Sequence, residues 1–192
     1  TVERKEGRLS LDGGEVTVVD LPGIYSVGAS SVDEQIASDY LLAERPDLVL
    51  VVVDASGLER SLYLVVQLRE MGLPLALALN MEDVASAQGV RIDEAALEER
   101  LGAAVVPTVA CSGKGVAELR RRLPSLLGDL PSSEPLSVPY GPRLSPSLKR
   151  LSDLTAELAP LLGVSPELAA IRLAEGDGAA LAALEGAKNR WM

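Results

Sequence analysis

Three short clusters carry residue types suited to one chemistry. Asp20-Leu21-Pro22-Gly23 closes a short apolar run, Asn80-Met81-Glu82-Asp83 closes another, and Ala110-Cys111-Ser112 closes a third. In the form D-x-x-G, the aspartate can hold the water shell of a Mg²⁺ ion. The glycine N–H can reach a terminal phosphate because no Cβ blocks the approach of the backbone. In the form N-x-x-D, the carboxylate can accept two N–H groups from a guanine edge while the Asn ties neighbouring loops together. Charge-assisted hydrogen bonds of that kind contribute about 1.5–3 kcal/mol each, and adenine would leave the carboxylate unmatched. The Gly-rich turn from Ala110 to Gly115 offers backbone N–H groups to the guanine oxygen. Cys111 reads there as a small packing residue, since no base stands near it to make it a nucleophile. Each cluster alone is also what an ordinary strand-ending turn looks like. Their order, one at the end of each successive apolar strand, is what points to a guanine nucleotide.

The elements that must position these clusters follow from hydrophobic periodicity. Residues 8–11 and 15–20 read as strands around Asp12-Gly13-Gly14, a hairpin signal. A helix is predicted over 32–43, a continuously apolar strand over 48–54, a helix over 58–71 and a second apolar strand over 75–80. A helix over 93–101 with Asp93 as its N-cap, a strand over 105–110 and a helix over 115–127 complete the pattern. Alternating strands and helices imply right-handed crossovers and a parallel sheet covered on both faces, with ligands at the carboxyl ends of the strands. The fold class expected is α/β, a Ras-like P-loop GTPase fold of three layers, followed by a small all-α region. The domain boundaries expected are a G domain over 1–128, a Pro/Ser-rich linker over 129–146 and a partial helical domain over 147–192. Five prolines between 129 and 146 mark the linker, and the helical domain shows helix patterns over 148–162, 166–175 and 178–191.

Composition removes several other classes. The chain carries a net charge of −10, no Phe and one Trp, which argues against a polyphosphate backbone or stacked bases as partner. It has no His and one Cys, so His-dependent triads, thiolate zinc clusters and a disulfide framework are excluded. No run approaches the roughly 20 apolar residues that cross a bilayer.

The residues between the clusters narrow the reading. Thr1-Val2-Glu3-Arg4-Lys5-Glu6-Gly7, the run from Asp20 to Ser26, Asp33-Glu34-Gln35 and the run from Val53 to Leu64 resemble the cytosolic G domain of the bacterial ferrous iron transporter FeoB family. The stretch Ile171 to Asp177 resembles, over a shorter span, that family's helical domain, described as a nucleotide-dissociation-inhibitor region. The resemblance implies that Thr1, with Val2 and Glu3 beside it, is the switch I threonine segment that meets Mg²⁺ and nucleotide. It implies that Asp20, Leu21, Pro22 and Gly23 form switch II, with Asp20 the second Mg²⁺ residue. Asn80, Met81, Glu82 and Asp83 then select guanine, and Ala110, Cys111 and Ser112 make the last base-contacting turn. No catalytic side chain is identifiable: Ile24 stands where Ras-type enzymes carry a glutamine, and an aliphatic side chain cannot orient water, so slow hydrolysis is expected. The ligand implied is GTP or GDP with Mg²⁺. A monovalent cation in this family involves a phosphate loop that these residues lack. The partners implied are a guanine nucleotide, the membrane-embedded iron-transport domain of the same parent chain and a second copy in a homo-oligomer, with no nucleic acid. The location implied is the cytoplasmic side of a bacterial inner membrane.

One departure stands out. No G-x-x-x-x-G-K-[ST] occurs in the sequence, and Lys114, the lysine nearest to glycines, has the wrong spacing. Without that loop a nest of N–H groups for the β-phosphate and an interior strand of the sheet are missing. A start upstream of Thr1 is the expectation, ahead of a true truncation. Two other readings remain open at this point: a nucleotide-free scaffold that docks a partner through its helical tail, and a different Ras-like GTPase acting on ribosomes or tRNA.

Overall fold

The computed structural model of the protein describes residues 5–27, 31–131 and 133–191. The expectations for Thr1, Val2 and Glu3 lie outside the described residues. Asp12-Gly13-Gly14 folds the first pair of strands: β1 (Lys5–Leu11) and β2 (Gly14–Asp20) run antiparallel, with Lys5 opposite Asp20 and Leu11 opposite Gly14. Gly13 takes a φ of 112°, a conformation open to glycine and strained for other residues.

The α/β part follows as α1 (Val32–Glu44), β3 (Val49–Asp54), α2 (Leu58–Glu70), β4 (Leu75–Asn80), α3 (Glu82–Ala87), α4 (Glu94–Leu101), β5 (Ala104–Pro107) and α5 (Val116–Gly128). Asp93 caps α4 as its position predicts, its carboxylate accepting from the Ala96 N–H at 3.0 Å. The short helix α3 is an addition to the sequence expectation, because six residues are too few to show a 3.6-residue period. Strands β3, β4 and β5 pair parallel in that order, with Asp54 opposite Asn80 and Leu79 opposite Pro107. This register brings Asp54, Asn80 and the loop after β5 out of one edge of the sheet.

The core gathers on one face. Val51, Val53, Leu75, Leu77, Leu79 and Val105 pack with Leu41, Val65, Leu68 and Leu101. Each such side chain contributes about 1.5–3 kcal/mol when fully buried. The opposite face of β3 departs from the expectation of a sheet covered on both sides. Leu50 is 39% exposed and Val52 67% exposed, and among the described residues no strand pairs with the second edge of β3. The hairpin β1-β2 forms a separate ladder. The far edge of the sheet is closed by side chains: Glu98 accepts from the Val105 N–H at 2.7 Å, and Arg122 donates to the Val105 carbonyl at 3.1 Å.

Beyond α5 come α6 (Gly141–Leu154), a 3₁₀ turn (Ala156–Leu158), α7 (Ala159–Leu162), α8 (Pro166–Ala174) and α9 (Gly178–Trp191). Helix α6 opens before the expected end of the linker. Pro142 lies in its first turn, where the missing N–H costs nothing, so proline there begins a helix that a compositional reading takes for linker. Leu158, Ala159, Leu168, Ala169, Ala170 and Ala180 are buried and form a small core of their own. Arg172 and Asp177 make a buried ion pair at 3.0 Å, and Asp177 also caps α9 through the Ala180 N–H.

The connecting stretch is seated on the α/β part by Arg69, which is 3% exposed. Its guanidinium donates to the carbonyls of Leu101 (2.8 Å), Leu73 (3.1 Å) and Glu134 (3.1 Å), and its own carbonyl accepts from the Leu136 N–H at 2.9 Å. One buried side chain therefore joins the ends of α2 and α4 to residues 133–136. Replacing it by an apolar chain of similar length, Arg69→Met, leaves those three carbonyls short of a donor. A loss of about 2–4 kcal/mol is expected in urea unfolding.

Candidate functional site

Asn80 is the last residue of β4, and its side-chain oxygen accepts from the Ala110 N–H at 2.9 Å and from the Thr108 hydroxyl at 3.3 Å. The next residue, Met81, takes a left-handed conformation at φ 62°, strained for a residue with a Cβ, and turns the chain into α3. That turn aims Glu82 and Asp83 at the loop after β5. Glu82 meets Lys114 at 2.8 Å and accepts from the Ser86 hydroxyl at 3.1 Å. The Lys114 bond holds the Glu82 carboxyl below its ordinary range, and the same bond pushes the Lys114 ammonium above its own. Asp83 is exposed, and its carboxylate makes no hydrogen bond or ion pair with a described residue.

The loop after β5 is a tight structure of its own. Val109 N–H donates to the Lys114 carbonyl at 2.9 Å, and the Ser112 hydroxyl donates to the Val109 carbonyl at 3.1 Å. Gly115 closes it at φ 79°, where a Cβ would lie 2.1 Å from the Pro107 carbonyl oxygen. Cys111 is exposed, which corrects its reading as a packing residue: the turn directs its side chain outward. The strand predicted over 105–110 ends at Pro107: the Thr108 N–H still donates to the Leu79 carbonyl of β4 at 2.8 Å, but the Val109 N–H turns to the Lys114 carbonyl of its own loop and the Ala110 N–H to the Asn80 side chain.

The structure thus brings two of the three clusters together. Asp20 and Gly23 stand at the end of the separate hairpin, and among the described residues no hydrogen bond joins them to Asn80, Asp83 or the 110–112 turn. Asp20 is exposed, and its carboxylate makes no hydrogen bond or ion pair with a described residue. A Cβ built on Gly23 would meet nothing within 4 Å, so the fold itself does not require glycine there. Ile24 is half-buried, and Tyr25 beyond it is exposed with the Arg60 guanidinium 5.3 Å from its ring centre. Asp54, at the end of β3, is occupied locally: the Ser56 hydroxyl and N–H both bond its carboxylate, and the hydroxyl bond first of all lowers its pKa. A hollow of about 1150 Å³ opens beside Asp54 between the start of α2 and the α3–α4 connection, and its lining includes neither Asn80 nor the loop after β5.

Sequence reasoning did not anticipate a polar chain running from the segment after Gly23 into the helical region. The Val27 N–H donates to Gln67 at 2.9 Å, the Gln67 amide donates to the Tyr63 hydroxyl at 3.2 Å, and that hydroxyl donates to Glu175 at 3.3 Å. Ser26 bonds Glu34 at 2.7 Å beside it. Gln67 and Tyr63 sit one helical turn apart on α2, so the i, i+4 spacing was visible, but their partners lie 40 and 112 residues away in sequence. A second link joins Tyr140 to the buried Glu70. Burial raises the Glu70 pKa and, with the Glu70 bond, lifts Tyr140 well above the ordinary range.

A parallel sheet that carries the guanine-type cluster and the following turn at its strand ends, with an Asn tying the two together, is that of the Ras-like P-loop GTPase fold. The family described as Ferrous iron transport protein B matches residues 1–123. The Fe(2+) transporter FeoB of Salmonella typhimurium is 52% identical over 124 residues, covering 62% of this chain and 16% of that protein. The FeoB G-domain of Methanococcus jannaschii matches at 49% identity and a TM-score of 0.63, over 66% of this chain and 81% of that one. The cytosolic domain of the T. maritima FeoB iron transporter in GDP form II matches at 33% identity and a TM-score of 0.84, over 96% of this chain and 72% of that one. The chain belongs to the ferrous iron transport protein B family and carries its G domain. It spans about a sixth of the length of the curated relatives it matches. Among the described residues no helix is long and apolar enough to cross a membrane, and no group of three or more acidic or Cys side chains could hold a metal ion.

Two outcomes are expected from this geometry. Gly115→Ala should cost about 2–3 kcal/mol in thermal or urea unfolding, since both its φ and the Pro107 carbonyl oppose a Cβ. Glu70 has a raised folded-state pKa, so its contribution favours folding while it is protonated and is lost as pH rises through that value. Glu70→Gln, which keeps the acceptor for Tyr140, should raise the melting temperature at about pH 7 and give no advantage near pH 4.

Proposed function

We propose that this stretch is the guanine-nucleotide-binding, slowly hydrolysing regulatory domain of a bacterial ferrous iron transporter. The observation that carries the reading is the pairing of Asn80 with the Ala110 N–H beside an Asp83 carboxylate that has no partner among the described residues. Asn80 spends its side chain fixing the loop, and Asp83 presents both oxygens to a ligand. Guanine offers the two adjacent N–H groups that such a carboxylate accepts, and adenine does not. Relatives support the choice of ligand: the T. maritima cytosolic domain is known in a GDP form and a GMPPNP form.

At the phosphate end, Gly23 is free of any packing demand, and close approach of a ligand to its N–H is the reason that remains for a glycine. The Asp20 carboxylate, exposed and without a partner among the described residues, fits the usual manner of holding Mg²⁺, in which one or two carboxylates share the ion with substrate phosphates. The Mg²⁺ would supply charge neutralisation on those phosphates. In this reading Thr1, Val2 and Glu3 join the same end of the site, and Ala110, Cys111 and Ser112 face the base. Ile24 brings no group that orients water, so turnover is slow. The chain Val27–Gln67–Tyr63–Glu175 is the route by which the segment after Gly23 and the helical region sense one another. The domain division that goes with it is a G domain through about residue 128, a seated connection, and the helical region beyond. In the parent chain, the signal would act on a membrane-embedded path for Fe²⁺.

Calorimetric titration with GDP and with ADP, each with Mg²⁺, tests the base reading. GDP binding with ADP silent is expected. Asp83→Ala should lose that preference, with an affinity loss of about 1.5–3 kcal/mol for each hydrogen bond removed. Equal binding of GDP and ADP would defeat the reading.

A further inference from the structure

Resting on the reading of Asp83 as the guanine acceptor, we propose that Glu82 is a positioning residue for that site: it holds the Lys114 ammonium and so keeps the Asp83 carboxylate unpaired. Lys114 comes from the loop after β5 and Glu82 from the first residue of α3, on either side of the Asn80–Ala110 tie. Their contact is 2.8 Å. The remaining oxygen of Glu82 accepts from Ser86 at 3.1 Å, which orients the carboxylate toward the loop. The backbone of Lys114 is anchored by its carbonyl, which accepts from the Val109 N–H, so the ammonium moves only on its own flexible stem.

Asp83 is the neighbour of Glu82 in sequence, and its charge already acts on Lys114 in the same direction. An ammonium is a point charge with three rotatable donors and no preferred fork, so it pairs with whichever carboxylate is nearest and free. Glu82 wins because it is closer and pre-oriented by Ser86. Were Glu82 neutral, Lys114 would turn to Asp83 and occupy lone pairs that a guanine edge needs. The base would then have to displace an ion pair before it could bind. Both side chains of the present pair are partly exposed, 69% for Lys114 and 31% for Glu82. Exposed pairs are weak, so the competition should be worth roughly a two- to fivefold change in affinity.

The test uses the chain with Glu82→Gln, which keeps the size of the side chain and its Ser86 partner, alone and combined with Lys114→Met. Carbon-detected NMR titration of the Asp83 carboxyl needs no nucleotide. The Asp83 midpoint should fall in Glu82→Gln, as the ammonium arrives, and return in the double variant. GDP affinity should drop roughly two- to fivefold in Glu82→Gln, less so as KCl is added, and recover in the double variant. A loss of equal size with Lys114 absent, or no loss at all with an unmoved Asp83 midpoint, overturns the inference. Asp83→Ala separates the two claims. If it binds GDP as the unaltered chain does, the site reading fails and this inference with it. If it loses GDP while Glu82→Gln changes nothing, only the inference fails.

Discussion

The side-chain oxygen of Asn80 accepting the Ala110 N–H is the contact on which the site depends. Parallel pairing of β4 and β5 places a strand end and a loop start near one another, but a register alone leaves the loop free to take many conformations. A hydrogen bond from a strand-terminal side chain to the loop backbone removes that freedom. Its entropic cost is already met by the sheet, because Asn80 is fixed by the ladder before its side chain acts. Met81 in a left-handed turn and Gly115 pressed against the Pro107 carbonyl are the strained positions that this closure entails.

The same physical logic recurs away from the site. Arg69 meets carbonyls from three segments with one planar group, and Glu98 with Arg122 satisfies both outward backbone groups of Val105. In each case a polar side chain completes hydrogen bonds that strands and helices leave open at their ends and edges. The Val27–Gln67–Tyr63–Glu175 chain differs in being long and half-exposed. Its bonds all donate in one direction, toward the Glu175 carboxylate, so each polarises the next.

The burial of β3 is uneven. Its residues are apolar in unbroken succession, the pattern of a strand covered on both faces, yet Leu50 and Val52 are exposed. Leu75, Leu77 and Leu79, on the neighbouring strand, are wholly buried. Among the described residues the apolar patch and the unpaired edge coincide on β3, the outer strand of a three-stranded sheet that shares no ladder with the hairpin.

By itself the sequence determined what depends on near neighbours: the hairpin at Asp12-Gly13-Gly14, the apolar strands at 49–54 and 75–80, the cap at Asp93 and the three clusters that follow strands. Periodicity and turn chemistry act within a few residues, so they are legible without the fold. It also supported the family resemblance, since the identities that carry it are linear. Tertiary structure alone decided which groups meet. That Lys114 bonds Glu82 and leaves Asp83 open, that Tyr63 reaches Glu175, and that Cys111 faces solvent are matters of approach between segments distant in the chain. The helix from Gly141 shows the same boundary, since its prolines read as linker until α8 gives it a surface to pack on. Composition records what a segment can do alone, and packing selects what it does among its neighbours.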